Sequence, residues 1–453
     1  MNLENLSTKK IIFIWVSLFL VILIWIMFSV MSSSWKKWKT TWKNLVIWTF
    51  WDDKNKFYEF IWEFKKDKNL KKVQITNENF NSWQDYNLAL ESALASWKAP
   101  DIFVLNSSEI SVFENQIQAL DPKIFNPDDF IKNYKSFFVW DLILSTKIWK
   151  WKEAKKQEFV KWIPVWYETL WIYYNRFKWI LPKDFKSWAS LNSRIDSLKE
   201  DRPDITPIAL WWGSSIYGVS DIVTQFLMLE WATSLKDLSD SKIKSALNTY
   251  FLYWDKKLNW YFLKEDLLKN SRKNNLDLFS RWEVAMVVGY PRLLQKIDDK
   301  WFRKAALYVA PFPSYYAWSG KSLVNYNYFV INKDSKNFWL AEEFLSYLNS
   351  DLWAKKYLEK FPYYLPARVN LEEDLLDKEI IDWYHIKLKN FINNDLEKSS
   401  FDKWVKMIYD SKLKEILNDR VNYIDKFIKL KDYLLCLSKK IRTLDNLSSE
   451  CRE

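Results

Sequence analysis

The sequence predicts an α/β protein that begins with a membrane-spanning segment, and three observations carry that expectation. Between residues 45 and 105, short apolar runs alternate with stretches of helical periodicity, the succession expected of a sheet with covered faces. Apolar residues make up 49% and charged residues 28% of 453 residues, which suits two or three packed domains rather than a disordered or wholly membrane-embedded chain. One apolar run, Ile11 to Met31, is 21 residues long. At 1.5 Å per residue it spans roughly 30 Å, the thickness of a bilayer's hydrocarbon core.

Taken in order, residues 1–10 read as a cytoplasmic tail and 11–31 as a transmembrane anchor or signal. Lys9 and Lys10 precede the run, and no cysteine directly follows it to accept a lipid. The run exceeds a usual signal peptide's apolar core, and Ser29 to Ser34 offers only a weak cleavage site, so a retained anchor is the first reading and a cleaved signal the second. Lys36, Lys37, Lys39 and Lys43 follow the span, and by the positive-inside rule they would draw that side into the cytoplasm. Residues 32–43 read as a flexible linker. Leu45 to Phe50 then reads as a buried strand, and Phe57, Phe60, Ile61 and Phe64 mark a helix over Lys56 to Lys66. A strand over Val73–Thr76, a helix over Tyr86–Ala95 and a strand over Ile102–Leu105 follow. Ile163 to Tyr174 is a strand-like stretch, Pro182 opens a new segment, and from Leu371 onward the pattern is charged amphipathic helix.

The composition departs from this picture in one respect. The chain has 4 glycines and 30 tryptophans; together they approach the usual glycine share of about 7%. Turns that need positive φ exclude most side chains, so many of these tryptophans read as glycines written through a UGA codon that some bacterial lineages translate as glycine. The alternative is a Trp-rich protein that stacks aromatics on sugars. Trp97 stands where a helix should stop, Trp211 and Trp212 precede Gly213, and Trp35, Trp38 and Trp42 lie in the Ser/Lys/Thr-rich linker. Trp48, inside a strand pattern, reads as a true tryptophan. If the reading holds, these positions should fall in turns and at helix C-termini.

Residue types exclude several activities. His385 is the one histidine, so no mechanism needing a His pair is open. Cys436 and Cys451 exclude a disulfide scaffold; they could pair outside the cell or remain two thiols. Gly320-Lys321-Ser322 lacks the earlier glycine of a phosphate loop, because position 315 is Tyr. A net charge of +11 suits an anionic partner weakly, and the dispersed lysines argue against a nucleic-acid groove.

Five segments, in order, resemble the family-1 extracellular solute-binding proteins of ABC importers, the maltose-binding-like group. They are LVIWTF with Asp52-Asp53, ALASWKAPDIFVLN (93–106), FVKWIPVWYETLWIYYNRF (159–177), FSRWEVAMVVGYP (279–291) and PYYLPARVNL (362–371). Several match more closely with glycine at Trp97, Trp162, Trp166 and Trp282. The resemblance implies a periplasmic-binding-protein-like fold of class II type, two α/β lobes joined by crossing strands near Val165–Leu170 and Pro311–Pro313. It assigns lobe one to 44–166 plus 313–363, and lobe two to 167–312 plus 364–453 with its helical tail. It implies an extracytoplasmic receptor that captures a small solute, carbohydrate first, and delivers it to permease subunits. It implies no enzyme activity, no cofactor, no metal and no nucleic-acid partner. The alternative is a glycoside hydrolase or other extracellular hydrolase built on a similar cleft.

The candidate ligand residues follow from strand ends and from the resemblance. Asp52 and Asp53 follow the first strand, where α/β ligands gather, or they cap a helix. Asn106 and Ser107 end the 102–105 strand and could bond a ligand or cap the next helix. Glu168 falls on the crossover where the resemblance implies a cleft carboxylate, with a solvated charge at the strand end as the alternative. Tyr290 and Arg292 resemble its aromatic platform. Tyr217, and Tyr315 with Tyr316, are further candidate platforms, with ordinary packing the alternative for each tyrosine.

Overall fold

A computed structural model describes residues 44–50, 54–80, 83–107, 109–135, 138–139, 142–150, 153–175, 180–210, 218–232, 235–252, 275–291, 293, 307–315, 321–361, 364–371, 395–398, 409, 411–413, 415–416 and 422–443. The anchor, the linker, Trp35, Trp38, Trp42, Trp211, Trp212, His385 and Cys451 lie outside these residues. Among the described residues no helix is long and apolar enough to cross a membrane. The chain divides into two compact units, Met1–Ile102 with Ser335–Phe344, and Phe103–Asp334 with Leu345–Glu453.

In the first unit, β1 (Asn44–Phe50) pairs in parallel with β2 (Gln74–Phe80), from Asn44 opposite Gln74 to Phe50 opposite Phe80. Between them runs α1 (Lys54–Asp67), which buries the expected stripe of Phe57, Phe60, Ile61 and Phe64. Each such side chain contributes roughly 2 kcal/mol by leaving water. Phe60 and Phe64 meet Phe344 edge-on, at centroid distances of 6.0 and 5.1 Å. After β2 comes α2 (Trp83–Ala95), whose Tyr86 packs against Phe50 and Phe80. Asp101, 8% exposed, accepts from the Val46 amide (2.9 Å), the Ser335 hydroxyl (2.6 Å) and the Asn337 amide group (3.2 Å). One buried carboxyl thus ties residues 335–337 to β1.

The second unit begins with β3 (Ile102–Asn106), the short α3 (Ile110–Phe113) and α4 (Pro127–Asn133), the last capped by the Asn126 side chain. A hairpin of β4 (Ile143–Lys150) and β5 (Glu153–Val160) leads into β6 (Trp162–Thr169). The chain then changes sheet. Sequence periodicity reads 163–174 as one stretch, but it breaks at the buried Leu170, and β7 (Trp171–Asn175) joins a different sheet. That four-stranded sheet has the order β10–β7–β9–β8, with β8 at Thr206–Ala209, β9 at Val284–Gly289 and β10 at Leu307–Pro311. The helices α5 (Trp188–Asp201), α6 (Val219–Leu229), α7 (Asp240–Leu252) and α8 (Asn275–Ser280) fall between its strands in sequence. A second change of sheet lies between Pro311 and β11 (Lys321–Ile331). There β11 lies between β6, antiparallel to it, and β3. From Phe338 to Lys360 the chain is helical, as α9 (Phe338–Asn349) and α10 (Asp351–Lys360), before the short β12 (Leu365–Pro366) pairs with β6.

The tail corrects the expectation of helix alone. Asp395–Lys398 forms β13, parallel to Lys321–Val324 of β11, and supplies ladder partners that this end of β11 would otherwise lack. The final helix α11 (Tyr423–Thr443) is as expected. It buries Phe427, Leu430 and Leu434, and its Lys431 reaches Asp240 of α7 at 2.8 Å. Cys436 on this helix is disulfide-bonded.

Tryptophans divide into two groups by backbone. Trp97, Trp231 and Trp282 have φ of +59°, +60° and +67°, the left-handed region that favours glycine. Each follows a helix and closes it with the same pair of bonds. Lys98 N–H donates to the Ala93 carbonyl and Trp97 N–H to Leu94; Ala232 and Trp231 do likewise to Leu227 and Met228, and Glu283 and Trp282 to Leu278 and Phe279. This is the helix stop that glycine usually fills. After α1 the same stop is filled by Asn69, φ +53°, a residue that tolerates the conformation. Trp97 and Trp231 are 80% and 54% exposed, so their rings add little packing in return. Other tryptophans behave differently. Trp166 lies in β6 and stacks on Tyr364 at 3.8 Å, and Trp48 in β1 packs on Phe80 at 5.2 Å. Trp162, read as a glycine position, is also buried in β6, yet among the described residues its indole N–H finds no acceptor.

The late Leu-Pro-Ala-Arg turn is pinned by Arg368. Its guanidinium donates to the Asn349 carbonyl (2.8 Å), pairs with Asp351 (2.5 Å) and lies over the Tyr134 ring (5.2 Å), while the Tyr134 hydroxyl donates to the Asn349 side chain. Burial pushes the Tyr134 hydroxyl up to about 12, against the opposing pull of Arg368. Burial also raises the pKa of Tyr250 and Tyr315. A raised folded-state value means the unfolded chain loses the proton first, so stability is intact below pH 10 and falls as pH climbs from 10 toward 12. For Tyr134 alone the loss reaches about 3 kcal/mol. Urea midpoints measured from pH 9 to 12 should fall, and less steeply in Tyr134→Phe; equal slopes in the two chains would contradict this.

Candidate ligand-binding site

Polar side chains of the second unit gather where the chain changes sheet. On β11, both backbone groups of Leu323 are held by side chains. Its N–H donates to Gln225 of α6 at 2.6 Å, and its carbonyl accepts from Thr169, the last residue of β6, at 2.8 Å. Both contacts are buried, so they act in a low-dielectric setting where such bonds are strong. They join an α6 that accompanies the four-stranded sheet to the strand on which the chain leaves it.

Two residues along β11, Asn325 stands opposite Glu168 of β6, and Asn327 opposite Trp166. From the neighbouring β3, the Asn106 side chain donates to Asn325 at 2.5 Å and to Asn327 at 3.3 Å. Ser107 N–H donates to the Tyr326 carbonyl at 2.9 Å. Glu109 folds back so that its carboxylate accepts from the Asn106 backbone N–H at 3.0 Å. The first residue before α3 makes no side-chain cap, and the Asn106 side chain faces β11 rather than capping the helix. Asn106, Ser107 and Asn325 are half-buried, whereas Glu168 is fully enclosed.

A second group surrounds the start of α6. Gly218, φ +70°, stands just before it; a Cβ there would come within 3.9 Å of the Tyr290 ring. The Tyr290 hydroxyl donates to Asp221 at 2.9 Å, and its own carbonyl accepts from Tyr173 at 3.0 Å. Tyr290 is therefore locked, with 5% of its surface exposed. Tyr315, half-buried, donates to Thr249 of α7 at 3.1 Å.

Of the residues expected at the site, Asn106 and Ser107 at the end of β3 and Glu168 on β6 lie on either side of β11, while Tyr290 and Tyr315 each hold a separate hydrogen bond on the α6 and α7 side. Asp52, Asp53, Tyr217, Arg292 and Tyr316 lie outside the described residues. Asn325, Asn327, Gln225 and Asp221 were not anticipated. The two asparagines carried a usable signal, because they stand two apart in an otherwise apolar strand pattern, on one face. A surface hollow in the first unit is lined by Asn55, Tyr58, Glu59, Trp62 and Glu63, all from one helix, and encloses nothing. No group of three or more acidic, histidine or cysteine side chains that could hold a metal occurs among the described residues.

This arrangement, two sheets linked by paired crossings with polar side chains at the crossings, has solved counterparts. An ABC substrate-binding protein from Listeria monocytogenes in complex with cycloalternan superimposes with a TM-score of 0.67 at 16% identity, over 88% of this chain and 99% of that one. The chain shares the fold of that protein. The sugar-binding protein MalE from Xanthomonas citri gives 0.66 at 14% identity over 89% and 100%. The GacH receptor of Streptomyces glaucescens, solved unliganded and with acarbose, gives 0.63 at 16% over 88% and 99%. This is the two-lobed α/β architecture expected from the sequence. No family model matches the chain, and no curated protein sequence does.

Proposed function

We propose that this protein is the extracytoplasmic solute-binding component of an ABC importer, that its ligand is a sugar or oligosaccharide, and that it performs no chemistry on it. The single observation that carries the reading is the double change of sheet at Leu170 and between Pro311 and Lys321, set with polar side chains at the crossings. Segments that cross twice between two sheets can act as a hinge, and a ligand that prefers the closed arrangement shifts the balance toward it. On this reading the lobes are 44–166 plus 313–363 and 167–312 plus 364–453. The site then comprises Asp52, Asp53, Asn106, Ser107, Glu168, Tyr217, Tyr290, Arg292, Tyr315 and Tyr316. Residues 11–31 hold the receptor at the outer membrane face, or direct its secretion if cleaved, and permease subunits receive the loaded form.

The same proposal reads Trp97, Trp231 and Trp282 as positions where the organism inserts glycine at UGA. Their left-handed backbone supports it; UGG codons at those three positions would refute it.

Equilibrium dialysis of the full chain in detergent micelles against radiolabelled maltose, maltotetraose, D-tagatose and D-galactose tests the function. Retention of one sugar, recovered chemically intact, is the expected result. Conversion of the sugar would instead identify a hydrolase.

A further inference from the structure

We infer that the end of the first unit at which β1 and β2 begin is a lysine surface that docks on the anionic lipid bilayer to which the chain is tethered. The inference rests on the reading of residues 11–31 as a retained anchor and is independent of the solute. β1 and β2 start side by side, with Asn44 opposite Gln74. The turn 68–73 carries the chain from α1 to β2, so it lies at that end, and its Lys68, Lys71 and Lys72 are exposed. Lys66, in the last turn of α1, is exposed beside them. The turn after α2 reaches the same end. The Asp101 N–H donates to the Val46 carbonyl, and the Asp101 carboxyl accepts from the Val46 N–H. That carboxyl also holds Ser335 and Asn337, which flank the exposed Lys336, and the exposed Lys98 lies in the same turn as Asp101.

Six exposed lysines therefore share one end of one unit. Lys68 pairs with Glu343 at 3.6 Å, and Lys66 lies over the Trp62 ring at 5.4 Å. Among the described residues of this end, Asp67 is the one exposed carboxylate; Glu63, Glu91 and Glu343 are half-buried and Asp101 is buried. The adjoining Lys333 and Asp334 offset each other. Toward the other end of the same unit, the exposed Glu78 and Asp85 carry the opposite sign. Lysines in a helix's last turn meet the negative end of the helix dipole, an effect that fades beyond that turn. It accounts for Lys65 and Lys66, and not for Lys71, Lys72, Lys98 or Lys336, which lie in connecting turns.

The tether brings this end to the bilayer. β1 begins at Asn44, and residues 32–43 separate it from the apolar run that ends at Met31. These twelve residues reach at most about 40 Å when extended and average roughly 20 Å as a flexible coil. The end carrying Asn44 is thus the end held nearest the lipid. Attraction of lysine to anionic headgroups acts within a Debye length, about 8–10 Å, and the tether supplies that encounter without a search. Docked in this way, the far ends of β1 and β2, where α/β ligands gather, face the medium.

Lysine acetylation of the full chain in nanodiscs, followed residue by residue by mass spectrometry, tests this. One set of discs is phosphatidylcholine alone, and the other contains about one-third phosphatidylglycerol. Lys66, Lys68, Lys71, Lys72, Lys98 and Lys336 should react about threefold or more slowly in the anionic discs. Salt at about 1 M, which cuts the Debye length to ~3 Å, should erase the difference. Lys54, exposed at the start of α1 and at the far end of the unit, should react equally in both. In a chain carrying Lys71→Glu and Lys72→Glu, two exposed turn positions, the slowing at Lys98 and Lys336 should be lost while the urea midpoint stays at the parent value. Equal rates in the two discs, slowing that extends equally to Lys54, or slowing retained in the double variant would each overturn the inference. A chain that does not co-purify with the discs overturns the anchor reading and this inference together. Sugar retention in dialysis depends on neither outcome, so failure of the capture reading is seen separately.

Discussion

Replacing Trp97, Trp231 and Trp282 by glycine should relieve about 1–2 kcal/mol of strain at each position, for a net stabilisation of up to about 1 kcal/mol. The three share a φ between +59° and +67° and the same closing pair of hydrogen bonds. At such a position a Cβ crowds the following carbonyl, and glycine removes that clash. Two terms oppose the gain. Glycine has more freedom to lose on folding, up to about 1 kcal/mol, and the indole forfeits whatever packing it has. For Trp97, 80% exposed, and Trp231, 54% exposed, the packing term is small, so strain relief wins. Trp48→Gly provides the contrast. Trp48 lies in β1 with its ring against Phe80 at 5.2 Å, and its removal should destabilise the chain by about 2–4 kcal/mol. Urea-unfolding midpoints of the four single variants check both directions. Destabilisation at all three left-handed positions would contradict the strain argument and leave the glycine reading with composition alone.

On the proposed capture reading, Glu168→Ala should reduce affinity for the sugar by roughly 10-fold or more, the weight of one or two hydrogen bonds to a buried carboxyl. Glu168 lies one residue before Thr169, which ends β6 and holds Leu323, and it stands opposite Asn325. It is thus placed on the crossing itself. On that reading a ligand reaches this enclosed carboxyl only when what covers it moves aside, which would couple binding to a conformational change. Glu168→Gln keeps the shape and exchanges one carboxyl oxygen for an amide NH2, so a smaller loss there than in Glu168→Ala separates the hydrogen bonds from packing. Calorimetric titration gives both numbers. Unchanged affinity in Glu168→Ala would remove the carboxyl from the site.

Much of the fold was legible because burial imposes period. Residues 44–50, 54–67, 74–80, 83–95 and 102–106 form the strands and helices that apolar spacing indicates. The helix stop at Trp97 was readable for the same local reason. What escaped the sequence is what depends on distant partners. The break at Leu170 shows no local signal, because residues on both sides are apolar and strand-like; only pairing with β9 and β10 places Trp171–Asn175 in a separate sheet. Likewise β13 is charged and short, and pairing with β11 makes it a strand. Among the candidate residues, Asn106 was indicated by its strand end and Glu168 by the family resemblance, while the spacing of Asn325 and Asn327 in an apolar pattern was a signal left unused, and their place beside β3 and β6 depends on distant pairing. Trp162 and Trp166 show the limit of reading glycine from a motif, since the strand conformation of β6 accepts any residue and does not require glycine there.

The most direct test of the central claim is small-angle X-ray scattering of the full chain in contrast-matched detergent, with and without the sugar that binds best in dialysis. A hinged receptor should contract on adding the sugar, with a smaller radius of gyration that recovers when the sugar is dialysed away intact. An identical scattering curve at saturating sugar, or contraction that accompanies consumption of the sugar, would contradict the account.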